Sequence, residues 1–232
     1  MAAQSQTILV IDVGGSHIKC LASDRETPIS FPSGPQLTAG QMVREVLRRT
    51  ADWRFDVVSV GFPGVVRDGR IAREPHNLGS GWVDFDWTEA FRRPVKLIND
   101  AAMQALGDYE GGKMLFLGLG TGLGSALIVD GLVVPMELGH LPAGDGRVYE
   151  DDLGDQGRKR LGKKKWRRQV RDVVEGFRAA LLPDDIVLGG GGAAHLKELP
   201  PQTRRGGNAR AFPGGFSLWE PGYSGLKGQA NK

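Results

Sequence analysis

Apolar runs that end in glycine recur along the chain. Thr7-Ile8-Leu9-Val10-Ile11 is continuous and β-branched, the pattern of a strand buried on both faces, and Asp12 with Gly14-Gly15-Ser16 follows it. Ile18 to Ala22 then reads as its antiparallel partner. Between Thr38 and Asp52, Met42, Val43, Val46 and Leu47 share one helical stripe, with Arg44, Glu45, Arg48 and Arg49 mostly outside it. That spacing predicts a core-packed helix. Phe55 to Val60 is a further strand, stopped by Gly61-Phe62-Pro63-Gly64. Val65-Val66, Asp68-Gly69 and Arg70-Ile71-Ala72 read as a hairpin, because Asp-Gly between extended segments favours a type I′ turn.

Pro94 to Ile98 is again apolar and ends in Asn99-Asp100, with a helix-like stretch from Ala101 to Leu106. Lys113 to Asp130 then repeats the grammar of Thr7 to Ser23: apolar strand, glycine turn with a hydroxyl, apolar strand. Two such halves facing each other would put both glycine turns on one cleft. Asp184 to Ala193 is a third strand ending in glycines, followed by a short helix-like stretch to Leu199. Beyond Pro200-Pro201 the chain turns rich in Arg, Gly, Pro and Asn, with Phe212, Phe216 and Trp219 as its strong anchors and the last dozen residues expected to be disordered.

Composition narrows the class. A hydrophobic content of 40% over 232 residues supports a buried core in one large domain or two modest ones. The 35 glycines are about twice the usual share and cluster after strands, so they read as positional. A net charge of +3 suits an anionic ligand without demanding nucleic acid. The lone Cys20 excludes an internal disulfide framework and a multi-thiolate zinc site. No apolar run reaches transmembrane length and Met1–Thr7 is short and polar, so a soluble, cytoplasmic protein without membrane contact is expected.

The candidate chemistry centres on Asp100. A carboxylate at a strand's exit, before a helix, sits where an open sheet presents its ligand crevice, which suggests a catalytic base. Gly14, Gly15 and Ser16, and on the other side Gly120, Thr121, Gly122 and Gly124, are turns whose amides can close on phosphate oxygens. Asp12 could hold Mg²⁺ directly or through water. Asn77 could bridge two adjacent hydroxyls, while Trp82 near it reads equally as a core anchor, and His76 as a surface residue. Glu137 and His140, in a proline-bounded loop, can hydrogen-bond a polyol or cap each other; Glu150 stands in an acidic stretch with Asp151, Asp152 and Asp155. Arg158 to Arg168 carries eight basic residues in eleven. The stripe of Trp166, Val170, Val173, Val174 and Phe177 favours a solvated helix face there, with a phosphate polymer or RNA as lesser readings.

Taken together, Asp12-Val13-Gly14-Gly15-Ser16-His17-Ile18-Lys19, Gly61-Phe62-Pro63-Gly64, Asn99-Asp100, Leu119 to Ala126, Glu137-Leu138-Gly139-His140 and Ile186 to Gly191 resemble the ROK sugar kinases, nearest to their polyphosphate glucokinase branch. The resemblance implies an α/β protein of the two-lobed actin-like, Hsp70-like (ribonuclease H-like) kinase fold with duplicated mixed-sheet domains. The expected organisation is an N-terminal lobe over 1–98 with the first phosphate turn, a C-terminal lobe over 99–200 with the second turn and the sugar contacts, and an irregular tail over 201–232. By position, Asp100 is implied as the base for a sugar's primary hydroxyl. Asn99, Glu137, His140 and Glu150 are implied as sugar contacts, with Asn77 a weaker candidate. Asp12, the two turns and Lys19 are implied as the Mg²⁺ and phosphate apparatus.

The implied activity is transfer of a phosphoryl group from polyphosphate, ATP or both to the 6-hydroxyl of glucose or a related hexose, in a homodimer. The sequence departs from the family in three places. The zinc-binding cysteine cluster is missing, so no structural metal is expected. Asp151-Asp152-Leu153 replaces the usual Tyr-Ala-Ser after the distal glutamate, and no helix returning to the first lobe is evident after Leu199. Two other classes remain open: a non-catalytic sugar-binding or regulatory protein, and an RNA-binding protein using residues 158–168, with nucleic acid the least favoured partner.

Overall fold

The computed structural model describes residues 6–221 and 223. The chain divides into two compact units, the first running to Met103 and resuming at Ala211, the second comprising Gln104–Arg210.

The first unit is built on β1 (Ile8–Val13), β2 (His17–Ala22), β3 (Ile29–Pro32), α1 (Ala39–Arg49), β4 (Val57–Phe62), the small hairpin β5 (Val66–Arg67) and β6 (Arg70–Ile71), α2 (Trp87–Phe91), β7 (Val95–Asn99) and the start of α3 (Asp100–Asp108). Its sheet runs β3-β2-β1-β4-β7, with β2 antiparallel to both neighbours and β1, β4 and β7 parallel. Leu9, Ile11 and Val13 point into one cluster with Met42, Val43 and Val46, so the predicted stripe on α1 is the core face, while Leu47 is partly exposed. Thr38 starts that helix with a capping box to Gln41, which the sequence carries as Thr-x-x-Gln. Asp68 and Gly69 take φ of 50° and 70°, as a type I′ hairpin requires. Trp82 is fully buried, donates from Nε1 to Leu37 O at 3.2 Å and stacks near Phe62 and Trp87: the core reading of this residue holds.

The second unit repeats the plan. It comprises the rest of α3, β8 (Lys113–Leu119), β9 (Leu123–Val129), β10 (Leu132–Met136), the short pair β11 (Pro142–Gly144) and β12 (Arg147–Val148), α4 (Tyr149–Leu153), α5 (Asp155–Leu181), β13 (Asp185–Gly189) and β14 (Arg204–Arg205). The order β10-β9-β8-β13-β14 matches the first sheet strand for strand in chain sense: two antiparallel partners on one side, two parallel on the other. Leu115, Leu117 and Leu119 pack with Trp166, Val170 and Val174 of α5, confirming the apolar stripe.

The basic run is not one continuous face. Gly162 breaks α5 with φ 72° and ψ 158°, a conformation open to glycine. Lys163, Lys164, Lys165 and Arg168 are exposed, whereas Arg158 pairs with Asp155, Arg160 with Asp152, and Arg167 donates to His195 O.

Two expectations are corrected. The unit boundary falls after Met103, not at residue 98, so Asn99 and Asp100 belong with the first sheet. The tail from 201 is not irregular, since β14 extends the second sheet and α6 (Ala211–Ser217) returns to the first unit. Propensity concealed this helix, whose Phe-Pro-Gly-Gly core is a poor helix former. The small face at Gly215 is what seats it, because a Cβ there would lie 2.4 Å from Val10 Cγ1. Ser59 Oγ then donates to Gly215 O at 2.6 Å and accepts from Trp219 Nε1 at 2.9 Å, while Lys96 donates to Leu218 O at 2.6 Å and lies over the Trp219 ring. The expectation of disorder over the last dozen residues falls, apart from Pro221 and Tyr223, outside the described residues.

Candidate active site

In the first unit the parallel strands β1, β4 and β7 lie side by side, and their carboxyl ends carry the candidate groups. Asp12 is level with Gly61, and Phe62 with Asn99. Asp12 therefore lines up through Gly61 with Ile98, two residues before Asp100. The two carboxylates share one sheet end with a lateral offset of two strand spacings, about 10 Å. Asp12 is one-fifth exposed, and Lys19 Nζ stands 3.7 Å from it across the hairpin. Burial raises its carboxyl above the ordinary value, against the opposing pull of Lys19. A cation beside it would offset that desolvation.

The Gly14-Gly15-Ser16 turn leaves Gly15 and Ser16 exposed. Gly14 is fixed by geometry, because a Cβ there would come within 2.8 Å of His17 O. Ser33 holds the turn from β3's end, its Oγ donating to Gly14 O at 2.8 Å and its N–H to Ser16 O at 3.0 Å; nothing local in the sequence marks it. Cys20, buried beneath, has its thiol pushed up to about 12 by that burial, so thiolate chemistry is excluded at neutral pH.

Asp100 is the first residue of α3 and half-buried. Gly61 makes its position available, since a Cβ at 61 would meet Met103 at 2.3 Å and stand 3.6 Å from Asp100 Cα. Asn99 acts as the helix cap: its Oδ1 accepts from Ala102 N–H at 3.1 Å and its Nδ2 donates to Gly64 O at 3.0 Å. These two bonds engage both ends of the Asn99 amide, which reduces its capacity as a sugar contact. Asn77 is exposed, with its Cβ beside Gly15, and His76 is exposed as expected. Glu74 gathers the N–H groups of Gly81, Trp82 and Val83 in that loop, another role without a sequence signal.

The second unit brings its own candidates together. Gly120 and Gly122 flank exposed Thr121, while Gly124 lies inside β9 opposite Gly118 and serves strand pairing instead of the turn. Asp155 N–H donates to Gly120 O at 2.9 Å, tying the turn to the start of α5. Glu150 on α4 places Oε1 3.7 Å from His140 Nε2, and His140 Nδ1 lies 3.8 Å from Glu137 Oε2. The three form one row on a partly exposed surface. Glycine makes room for it, because a Cβ at Gly122 would lie 2.4 Å from Glu150 Oε2 and one at Gly139 3.3 Å from Glu150 Cβ. Ser125, buried in β9, donates to Met136 O at 2.8 Å and accepts from Leu138 N–H at 3.0 Å, bracketing Glu137.

Among the described residues there is no group of three or more His, Cys, Asp or Glu able to hold a metal by themselves, and no helix long and apolar enough to cross a membrane. Mg²⁺ asks for less: it is commonly held through one or two carboxylates plus the substrate's phosphates. The desolvated carboxylate of Asp12 beside an exposed turn fits that demand.

Known proteins agree with this architecture. The crystal structure of an inorganic polyphosphate/ATP-glucomannokinase from Arthrobacter sp. strain KM superposes with a TM-score of 0.77 at 26% identity, over 91% of this chain and 97% of that one. A glucokinase from Streptomyces griseus, solved with glucose and AMPPNP, gives 0.74 at 16% identity over 91% and 98%, a likeness of fold. The protein thus has the actin-like (ribonuclease H-like) α/β kinase fold with duplicated mixed sheets. In sequence, a polyphosphate glucokinase from Mycobacterium tuberculosis (strain CDC 1551 / Oshkosh) is 31% identical, covering 78% of this chain and 76% of that protein. The model of the ROK family matches residues 8–149, and the chain belongs to that family.

Proposed function

We propose that this protein is a sugar kinase of glucokinase type, moving a phosphoryl group from polyphosphate, ATP or both to the 6-hydroxyl of glucose or a close hexose. The observation that carries the reading is the seating of Asp100: a half-buried carboxylate at a parallel strand's end, held by the Gly61 contact and the Asn99 cap, on the same sheet end as Asp12. Supporting it are the relatives, a polyphosphate glucokinase and a polyphosphate/ATP-glucomannokinase.

Phosphoryl transfer asks mainly for positioning and charge neutralisation. Asp100 accepts the proton of the attacking hydroxyl as its oxygen bonds to phosphorus. Glu150, His140 and Glu137 orient the hexose by accepting from and donating to its hydroxyls, with Asn99 and Asn77 contributing amides. The exposed amides of the Gly14-Gly15-Ser16 and Gly120-Thr121-Gly122 turns, with Lys19, hold phosphate oxygens. Asp12 holds Mg²⁺, which when bound neutralises charge on those phosphates.

The test is glucose 6-phosphate formation with Mg²⁺, polyphosphate and ATP supplied separately, for the wild type and Asp100→Asn. The substitution is expected to lower kcat by about 10²–10⁴-fold while hexose affinity holds. Near wild-type turnover in Asp100→Asn would remove the assigned base. Hexose binding without turnover on either donor would point to a sugar-binding protein instead.

A further inference from the structure

Helix α4 carries Glu150 yet has only five residues, far fewer than a helix needs to hold itself in water. Its orientation must come from tertiary bonds. Residues two apart on a helix diverge by about 200°, so Asp152 faces away from Glu150. Asp152 is 1% exposed, and both oxygens of its carboxylate are engaged. Oδ1 accepts from Arg147 Nε at 3.2 Å and from Arg160 Nη2, and Oδ2 accepts from Gln169 Nε2 at 2.8 Å. Arg160 lies before the break in α5 and Gln169 after it, so the glycine conformation at 162 is what lets both halves of that helix reach one carboxylate. Nothing in the proposed mechanism uses this cluster.

We propose that Asp152 is a positioning residue: clamped by Arg147, Arg160 and Gln169, it fixes α4 so that Glu150 presents its carboxylate beside His140 and Gly122 to the hexose. The inference rests on Glu150 touching the sugar, as proposed above. Arg160, though exposed, is paired in this clamp with a buried carboxylate. Removing one member of a buried charge cluster leaves the others uncompensated, so the helix shifts when Asp152 is neutralised.

The experiment measures hexose affinity calorimetrically without donor, and KM and kcat with donor, for Asp152→Asn and Gln169→Leu, each alone and combined with Glu150→Gln. Asp152→Asn is expected to weaken hexose binding about tenfold or more, with KM following and kcat at saturating hexose changing by less than about threefold. Gln169→Leu, which keeps both arginine pairs, should weaken it in the same direction and decides the matter if Asp152→Asn does not fold. In the Glu150→Gln background either substitution should add less than about twofold. Unchanged hexose affinity in the folded variant, or an equal loss in both backgrounds, would overturn the positioning role while leaving Glu150's own assignment standing. Wild-type affinity in Glu150→Gln would overturn both.

Discussion

The return of the C-terminal segment to the first unit turns on Ser59, and its removal is the sharpest test of that packing. Ser59 is fully buried in β4, donates to Gly215 O and accepts from Trp219 Nε1, partners 156 and 160 residues away. Ser59→Ala deletes both bonds and leaves an indole N–H and a carbonyl facing a methyl group. A buried polar group left unpaired costs about 1–3 kcal/mol, more than the roughly 1 kcal/mol net worth of an ordinary hydrogen bond. A loss of about 2–3 kcal/mol is therefore expected. For a chain of this size that lowers Tm by roughly 4–12 °C. Urea unfolding followed by tryptophan emission measures the loss, and hydrogen exchange across 211–217 locates it. Trp219→Phe removes the orphaned donor, so the double variant should cost about 1 kcal/mol less than the sum of the singles. If Ser59→Ala stays within about 0.5 kcal/mol of wild type, or the exchange of α6 is unmoved, the reasoning about this anchor is wrong.

Two further substitutions probe the candidate site. Because burial raises Asp12 above the ordinary 3.8, the folded state binds its proton more tightly than the unfolded one, and stability falls as pH climbs from 3.8 through the raised value. Asp12→Asn should then be more stable than wild type at neutral pH, lose that advantage below the ordinary carboxylate value, and abolish Mg²⁺-dependent turnover; denaturation across a pH series checks the sign, and a less stable variant at pH 7 would contradict it. Gly122→Ala places a methyl 2.4 Å from Glu150 Oε2 at the free end of a flexible side chain. The carboxylate should give way at a stability change below about 1 kcal/mol while hexose KM rises, and an unaltered KM would refute the contact.

Local chemistry alone determined much of this protein. The two strand–turn–strand repeats at Ile8–Ala22 and Lys113–Val129 follow from apolar runs and glycine placement, α1 from its stripe and Thr38 cap, and Asp12 and Asp100 stand at strand ends because the runs before them stop there. Such signals act over a few residues and survive without knowledge of the rest of the chain. Other features needed the folded whole. Trp82 became core only because Leu37 and Phe62 came to meet it, and Asn99 became a cap when α3 settled against Gly61. Ala211–Ser217 became a helix against its propensity because Val10 fills the space its glycines leave. The clamp on Asp152 joins residues up to 17 positions apart across a break in α5. Sheet order, returning helix and buried ion cluster depend on which distant segments are brought within a few ångströms, and no periodicity along the chain encodes that distance.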